Sequence, residues 1–474
     1  MRADFPNHSP WLLDSAKFTD EGWWASAAVR HFLLGHWEVP GDYNPAVVVP
    51  IWPLLLAVVF HFTGISLVAA RAVNVSFSVA TVVLVFWVVR RYRGGELAAA
   101  SAALLLAASP FAFAFARLAT LDTVIVFEWI LALWLASYVG SRNPWPNIAL
   151  CFLIPIMLLT KTTALVLVPA VAWVLWTKSP RALLTLFGVG AAVMGAYSYL
   201  VLNSRYASDY RYFFLINAMP DVHLRQTGCF LLQLLQNGLW IDRVLYPAAL
   251  AAFVLSLAWL RRLWRNPLFA ACWIAVAAQC FFIFRRQDDY APRYFLVMLV
   301  PMILVLVLTL DLTLDTILDT TLDTTLHELA LRSRVLPWLL VAVLAVAVVL
   351  DTSQVFGFLA HRQYQFYSAA KSIQAIVDAD SSHHPLLLGT SADQLSLMTG
   401  IPSINDSYTN QELGEKTKAY QPGWYVGWND LDQDILDSLS AWRLEEVANY
   451  PVFDRDDRDR LKLYRMVLLK ETSQ

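Results

Sequence analysis

"RAVNVSFSVATVVLVFWVVRRYR", residues 71–93, decides the kind of protein this is. From Ala72 to Val89 no residue is charged, and then Arg90, Arg91 and Arg93 arrive together. About 20 apolar residues cross the hydrocarbon core of a bilayer. Arginines directly after such a run mark its cytoplasmic end. The stretch therefore predicts a membrane-spanning helix and its orientation.

Working outward, further apolar runs lie at 97–115, 123–140, 147–161, 163–177, 182–202, 241–260, 267–284, 293–310 and 335–351. The pair 147–161 and 163–177 is short, and reads as two spans, a hairpin or a partly re-entrant pair. The run 46–63 carries Pro50 and Pro53 and reads better as a helix lying in the interface than as a span. Basic clusters then set the topology. Arg90, Arg91 and Arg93, then Arg142, then Lys178 and Arg181, then Arg261, Arg262 and Arg265, then Arg332 and Arg334 all fall on one side of ten spans. The positive-inside rule makes that side the cytoplasm. Arg285 and Arg286, beside Asp288 and Asp289, are the exception on the opposite side. Residues 1–70 and the tail from 352 are then expected outside, with outer loops at 18–45, 116–122, 203–240 and 285–292. The segment 203–240 is expected to hold short amphipathic helices. The first 18 residues contain no apolar run, which leads to the expectation of a helix upstream of them or of unaided translocation.

Composition agrees. Hydrophobic residues make up 58% and charged ones 15%, against about half and a quarter in soluble domains. A formal net charge of −2 gives no reason to expect nucleic acid. Cys151, Cys229, Cys272 and Cys280 form no CxxC pair and read as packing residues. Asp311, Asp315, Asp319 and Asp323 recur every four residues in "DLTLDTILDTTLDTTLH", read as a solvated cytoplasmic helix grown from a low-complexity repeat (311–334 as a loop).

The tail changes character. Polar loops, an amphipathic stretch at 368–378 and short apolar runs in "PLLLG" and "RMVLL" predict a small α/β domain. "NDLDQD" at 429–434 lacks the glycine and the glutamate of a calcium loop, and reads as an acidic helix start. "DRDDRDR" at 454–460 reads as a solvated charge run. The expected architecture is an α-helical polytopic membrane protein of about 10–11 transmembrane helices. Residues 1–351 form its membrane part, with 18–70 as first outer loop, and 352–474 its extracytoplasmic α/β domain.

Charges at the edge of the bilayer are costly and tend to be functional. The candidates are Asp20 and Glu21 in "FTDEGWW", Arg30, Arg117 with Asp122, Lys161, and Arg293 with Tyr294. Each also has a plain structural reading. Arg30 can snorkel, Arg71 can anchor a helix, Arg117 and Asp122 can pair across a turn, and Tyr294 suits an aromatic belt. Lys161 is harder to dismiss, because it interrupts the apolar "LLTKTTAL". Together they predict a polar cavity with both signs of charge at the outer face. Such a cavity suits transfer of a sugar from a lipid phosphate. A carboxylate takes the proton of the attacking acceptor, and cations, with or without a metal, steady the departing phosphate.

"TDEGWWASAAVRHFLLGHWEVPGDYNPAVVVPIWPLLLAVVFHFTGISLVAARA" resembles the first outer loop of GT-C glycosyltransferases. The nearest branch is that of dolichyl-phosphate-mannose–protein mannosyltransferases and bacterial lipid A aminoarabinose transferases. The resemblance rests on Asp20-Glu21, Val29-Arg30, Gly35-His36-Trp37, Tyr43-Asn44-Pro45 and Gly64-Ile65-Ser66 with Arg71. It continues through "SPFAFAFARLATLDT", "LLTKTTALVLVP" and "APRYFLVMLVP", with Thr162 where the family has glycine. Tyr43-Asn44-Pro45 stands where aminoarabinose transferases have Lys-Pro-Pro, which argues against that substrate.

The resemblance implies an inverting, polyprenyl-phosphate-dependent glycosyltransferase of the bacterial inner membrane with an extracytoplasmic active site. It implies Asp20, Glu21 and Asp122 as catalytic carboxylates. Lys161, Arg293 and Arg117 would hold the donor phosphate, and Arg30, Tyr43 and Tyr294 would contact substrate. A divalent metal on Asp20 and Glu21 stays open. The acceptor is a lipid, a glycan or a protein. The rival readings are a secondary transporter, for which no repeated halves are evident, and a non-catalytic, truncated relative.

Overall fold

The computed structural model describes residues 1–4, 16–92, 94–140, 143–218, 242, 244–258, 264–285, 292–322, 327–407, 409–454, 456 and 458–469. Arg93, Arg142, Asp221, His223, Arg225, Cys229, Arg261, Arg262, Arg286, Asp288, Asp289 and Asp323 lie outside the described residues.

Where the apolar runs of the sequence are described, they are helical. α1 (Glu21–Leu34) and α2 (Ile51–Thr63) come first, then α3 (Leu67–Arg91), the helix of the opening stretch. Ser66 starts α3 in extended backbone, its side chain accepting from the Ala69 amide at 3.3 Å. α4 (Glu96–Ala108) and α5 (Pro110–Ala116) follow, bent by 58° at Ser109. Ser109 accepts from the Ala112 amide, and Pro110 occupies the first helical position, so the chain restarts a helix there rather than continuing one. α6 (Leu121–Ala136), α7 (Trp145–Thr160), α8 (Val168–Lys178), α9 (Pro180–Leu202) and α10 (Ala207–Ala218) come next. Helices Leu245–Ala258, Pro267–Arg285, Leu296–Leu322 and His327–Ala360 complete this part.

Among the described residues, the segments Leu67–Arg91, Pro180–Leu202, Arg293–Asp311 and Ala342–Ala360 are each long and apolar enough to cross a membrane. α4 and α5 pass that test together as a bent pair. The other apolar helices are shorter. α2, with 13 residues, reaches only about 20 Å and cannot cross a hydrocarbon core of about 30 Å. It buries Trp52, Leu56 and Phe60 on one face and exposes Leu54, Val58 and Phe62 on the other. Helix Leu296–Leu322 is buried along its first half and forms the hub of the membrane core.

The tail folds as an α/β domain around a five-stranded sheet in the order β2-β1-β3-β5-β4. β1 (Leu387–Leu388) runs parallel to β2 (Ser403–Ile404) and β3 (Trp424–Trp428). β4 (Trp442–Pro451) and β5 (Arg460–Leu468) form an antiparallel hairpin, with a bulge between Glu446 and Ala448, and β5 pairs with β3. Helices Gln365–Ala379 and Ala392–Thr399 cover the sheet, and the second of them packs against α1. The amphipathic stretch 368–378 is the first of these two helices. "NDLDQD" leads into the short helix Gln433–Ser438.

One apolar core runs through both parts. Phe18, Ala25, Val29, Trp52 and Leu121 pack with Phe366, Ile373, Leu395, Trp424 and Leu461. Phe18 seats its ring among Trp428 and Phe453, at 6.0 and 5.8 Å between centroids.

Candidate active site

Asp20 closes a short π-turn (Ala16–Asp20), and Glu21 opens α1. Successive helical side chains point about 100° apart, so the two carboxylates leave in different directions.

Asp20 pairs through Oδ2 with the Arg293 guanidinium, and its Oδ1 accepts from Thr19 at 3.0 Å. Arg293 sits on a 3₁₀ turn, Pro292–Phe295, just before helix Leu296–Leu322. Its Nε lies 3.8 Å from Asp122 Oδ2. Asp122 stands in the first turn of α6, and its Oδ1 receives a 2.6 Å hydrogen bond from Lys161 Nζ. Lys161 follows the last residue of α7 in extended backbone, which turns its side chain from the helix axis toward Asp122. Tyr294 forms the floor, with Lys161 Nζ 5.2 Å and Arg293 Cζ 5.4 Å from its ring centre. Two carboxylates and two cations, from four separate segments, thus form one alternating cluster. Asp20 is its most open member, with a side chain 17% exposed against 2% for Asp122.

Glu21 is wholly buried. Arg71 binds it through two N–H groups, Nε to Oε1 at 2.7 Å and Nη2 to Oε2 at 2.6 Å. The Ala119 amide donates to Oε1 at 2.7 Å, and Gln394 of the C-terminal domain donates to Oε2 at 3.4 Å. With both oxygens so engaged, Glu21 does not join Asp20 as a metal-ligating pair. Among the described residues no group of three or more His, Cys, Asp or Glu is arranged to hold a metal ion. The residues present therefore do not suit the divalent metal considered above. Arg117 is not brought to the Asp122 cluster either. It donates to the carbonyls of Ala3 and Asp4, as Arg71 donates to those of Met1 and Ala3.

Arg30 and Tyr43 belong to a second, structural constellation. Arg30 pairs with Asp42 at 2.5 Å and with Asp393 of the C-terminal domain at 3.4 Å. Burial pulls the Arg30 guanidinium down, and Asp42 and Asp393 more than offset it, so it lies above its ordinary value. Lys416 also donates to Asp42 and to the Asn405 carbonyl. Tyr43 stacks on Tyr212 of α10, with ring centres 3.8 Å apart. The neighbouring Asn44 amide donates to Asp209 at 3.1 Å, and Asn410 Nδ2 donates to the same carboxylate at 3.3 Å.

Several residues of this scaffold carry no motif in the sequence: Asp42, Asp209, Asp393, Gln394 and Lys416. Each has at least one partner more than 160 positions away, a separation no local pattern reports. Glu128 was legible in principle, as the single carboxylate in "TVIVFEWILALWLA".

Comparisons with known proteins bear on the fold. Residues 45–202 match the family of dolichyl-phosphate-mannose-protein mannosyltransferases. Among curated proteins, none matches the chain by sequence. The fold is similar to that of ArnT from Cupriavidus metallidurans in its apo state, with a TM-score of 0.60 and 16% identity over 96% of this chain and 94% of that one. The same enzyme bound to undecaprenyl phosphate matches with a TM-score of 0.58 and 17% identity over 96% and 95% of the two chains. The Archaeoglobus fulgidus oligosaccharyltransferase matches with a TM-score of 0.53 and 12% identity, over 89% of this chain and 65% of its own. The chain is a multi-pass membrane protein with the GT-C fold.

Proposed function

We propose that this chain is a membrane glycosyltransferase. It moves one sugar from a polyprenyl-phosphate carrier to an acceptor hydroxyl or amine at the outer face of the inner membrane, inverting the anomeric carbon. The observation that carries the reading is the cluster of Asp20, Asp122, Lys161 and Arg293 at the ends of membrane helices. The family match and the fold supply the reaction class, and the undecaprenyl phosphate on the similar ArnT supplies the kind of carrier.

In this reading Arg293 and Lys161 receive the donor phosphate, with Asp122 aiming both. The phosphate competes with Asp20 for Arg293. As the guanidinium turns to the phosphate, Asp20 loses its counter-charge and becomes a stronger base. Asp20 then takes the proton of the acceptor as its oxygen or nitrogen bonds to the anomeric carbon. The bond from that carbon to the phosphate oxygen breaks, and its electrons stay on the phosphate, where Arg293 and Lys161 steady the added charge. Tyr294 keeps both cations over an apolar ring, so the prenyl chain can remain in the bilayer beside them.

The test uses purified protein in liposomes with a panel of radiolabelled polyprenyl-phosphate sugars. Asp20→Asn is expected to lower transfer by about 10²–10⁴-fold while membrane insertion is unchanged. Transfer at the wild-type rate by Asp20→Asn overturns the assignment. Flux of a substrate across sealed vesicles with no sugar transfer would favour a transporter.

A further inference from the structure

Glu128 lies in the apolar middle of α6 and is 5% exposed. A carboxyl at such depth is costly and calls for a reason. Its Oε1 is 2.8 Å from Thr160 Oγ1, and its Oε2 has no hydrogen-bond partner. Thr160 Oγ1 is also 3.0 Å from the Ile156 carbonyl.

A hydroxyl has one proton to donate. If Thr160 gives it to Glu128, a bare carboxylate stands buried with no cation paired to it among the described residues, the costliest arrangement available. If Glu128 carries a proton on Oε1, it donates to Thr160, and Thr160 donates to the Ile156 carbonyl. Every hydrogen then has an acceptor, and only a carbonyl-type oxygen is left over. Thr160 is the last residue of α7, and Lys161 is the next. The carboxyl therefore grips the chain at the point where it leaves the helix and turns toward Asp122.

We propose that Glu128 is a positioning residue, a neutral carboxyl whose hydrogen bond to Thr160 holds the end of α7 so that Lys161 reaches Asp122. This rests on the reading of Lys161 as a phosphate ligand. Glu128 does not touch the reacting atoms; it acts through Thr160 and Lys161.

The experiment measures binding of undecaprenyl phosphate to the purified, full-length protein, with Lys161→Ala as reference. Glu128→Ala and Thr160→Val are each expected to weaken binding about tenfold, the loss of roughly one hydrogen bond's worth of alignment. Glu128→Gln keeps a neutral donor of the same shape and is expected to stay within about twofold of wild type. Gel filtration in detergent checks that each variant folds, and Thr160→Val breaks the contact without altering the carboxyl. If Glu128→Gln loses as much as Glu128→Ala, the group acts through charge and the proposal falls. It also falls if Lys161→Ala weakens binding while Glu128→Ala and Thr160→Val do not. If Lys161→Ala itself binds as wild type, the donor-site reading fails first and takes this one with it.

Discussion

Asp20 and Glu21 are adjacent in the chain, yet one faces the cluster with Arg293 and the other is sealed under Arg71, Ala119 and Gln394. Their adjacency was legible; their divergence was not, because it depends on the helix starting between them. The same distinction separates Arg293 and Lys161, which meet Asp122, from Arg30 and Arg117, which hold backbone and partner carboxylates elsewhere. Basic residues at a membrane edge look alike in sequence, and only the tertiary fold sorts them. Removing one partner of a buried ion pair leaves the other charge uncompensated, at about 3–5 kcal/mol. Arg71→Met is thus expected to lower the thermal midpoint in detergent sharply. Asp122→Asn, which leaves the buried Lys161 and Arg293 without that counter-charge, is expected to lower the midpoint too and in addition to weaken undecaprenyl phosphate binding, because both cations lose their guide.

At the scale of the element, the apolar runs and their order were readable, since hydrophobic length is a local property. Their interruptions were less so. α4 and α5 bend at Ser109-Pro110, and α7 gives way to a 3₁₀ turn (Thr162–Leu167) after Lys161. Broken helices of this kind place backbone and charge at membrane depth where protein, not lipid, surrounds them. In the tail, Asp380 accepts from the backbone and side chain of Ser382, meets His383, and pairs with Arg465 of β5 at 2.9 Å. Ser382 and His383 hold its carboxyl well below the usual carboxylate range. An acid depressed in the folded state stabilises that state above its unfolded value of 3.8, and the contribution is lost as pH falls through the folded value. Thermal midpoints followed from about pH 6 to about pH 2 should therefore differ by a steady amount above about pH 4 for wild type and Asp380→Asn, and draw together only below it. Parallel curves would contradict this role.

Over the whole molecule, the α/β tail was legible as a domain but not as a wall of the first loop. Its helix Ala392–Thr399 lies against α1 so closely that a Cβ on Gly22 would overlap the Asp393–Gln394 backbone. The Gly22 amide donates to Gln394 Oε1 at 2.6 Å across this contact. Gly22→Ala is expected to cost on the order of 1–3 kcal/mol through this overlap. Limited proteolysis should then cut the connection at 361–364 faster than in wild type. Equal cleavage rates would show that the contact yields without undocking.

The same junction has a consequence in time. Arg30 and Asp42 leave the ribosome some 363 and 374 residues ahead of Asp393 and Lys416, the side chains that neutralise and enclose them. Throughout synthesis the loop that carries Asp20 lacks its far wall. The nascent chain can settle its helices in the lipid as they emerge, but the loop locks only once Asp393 and Lys416 have been made. Synthesis of the α/β domain thus becomes the event that closes the junction.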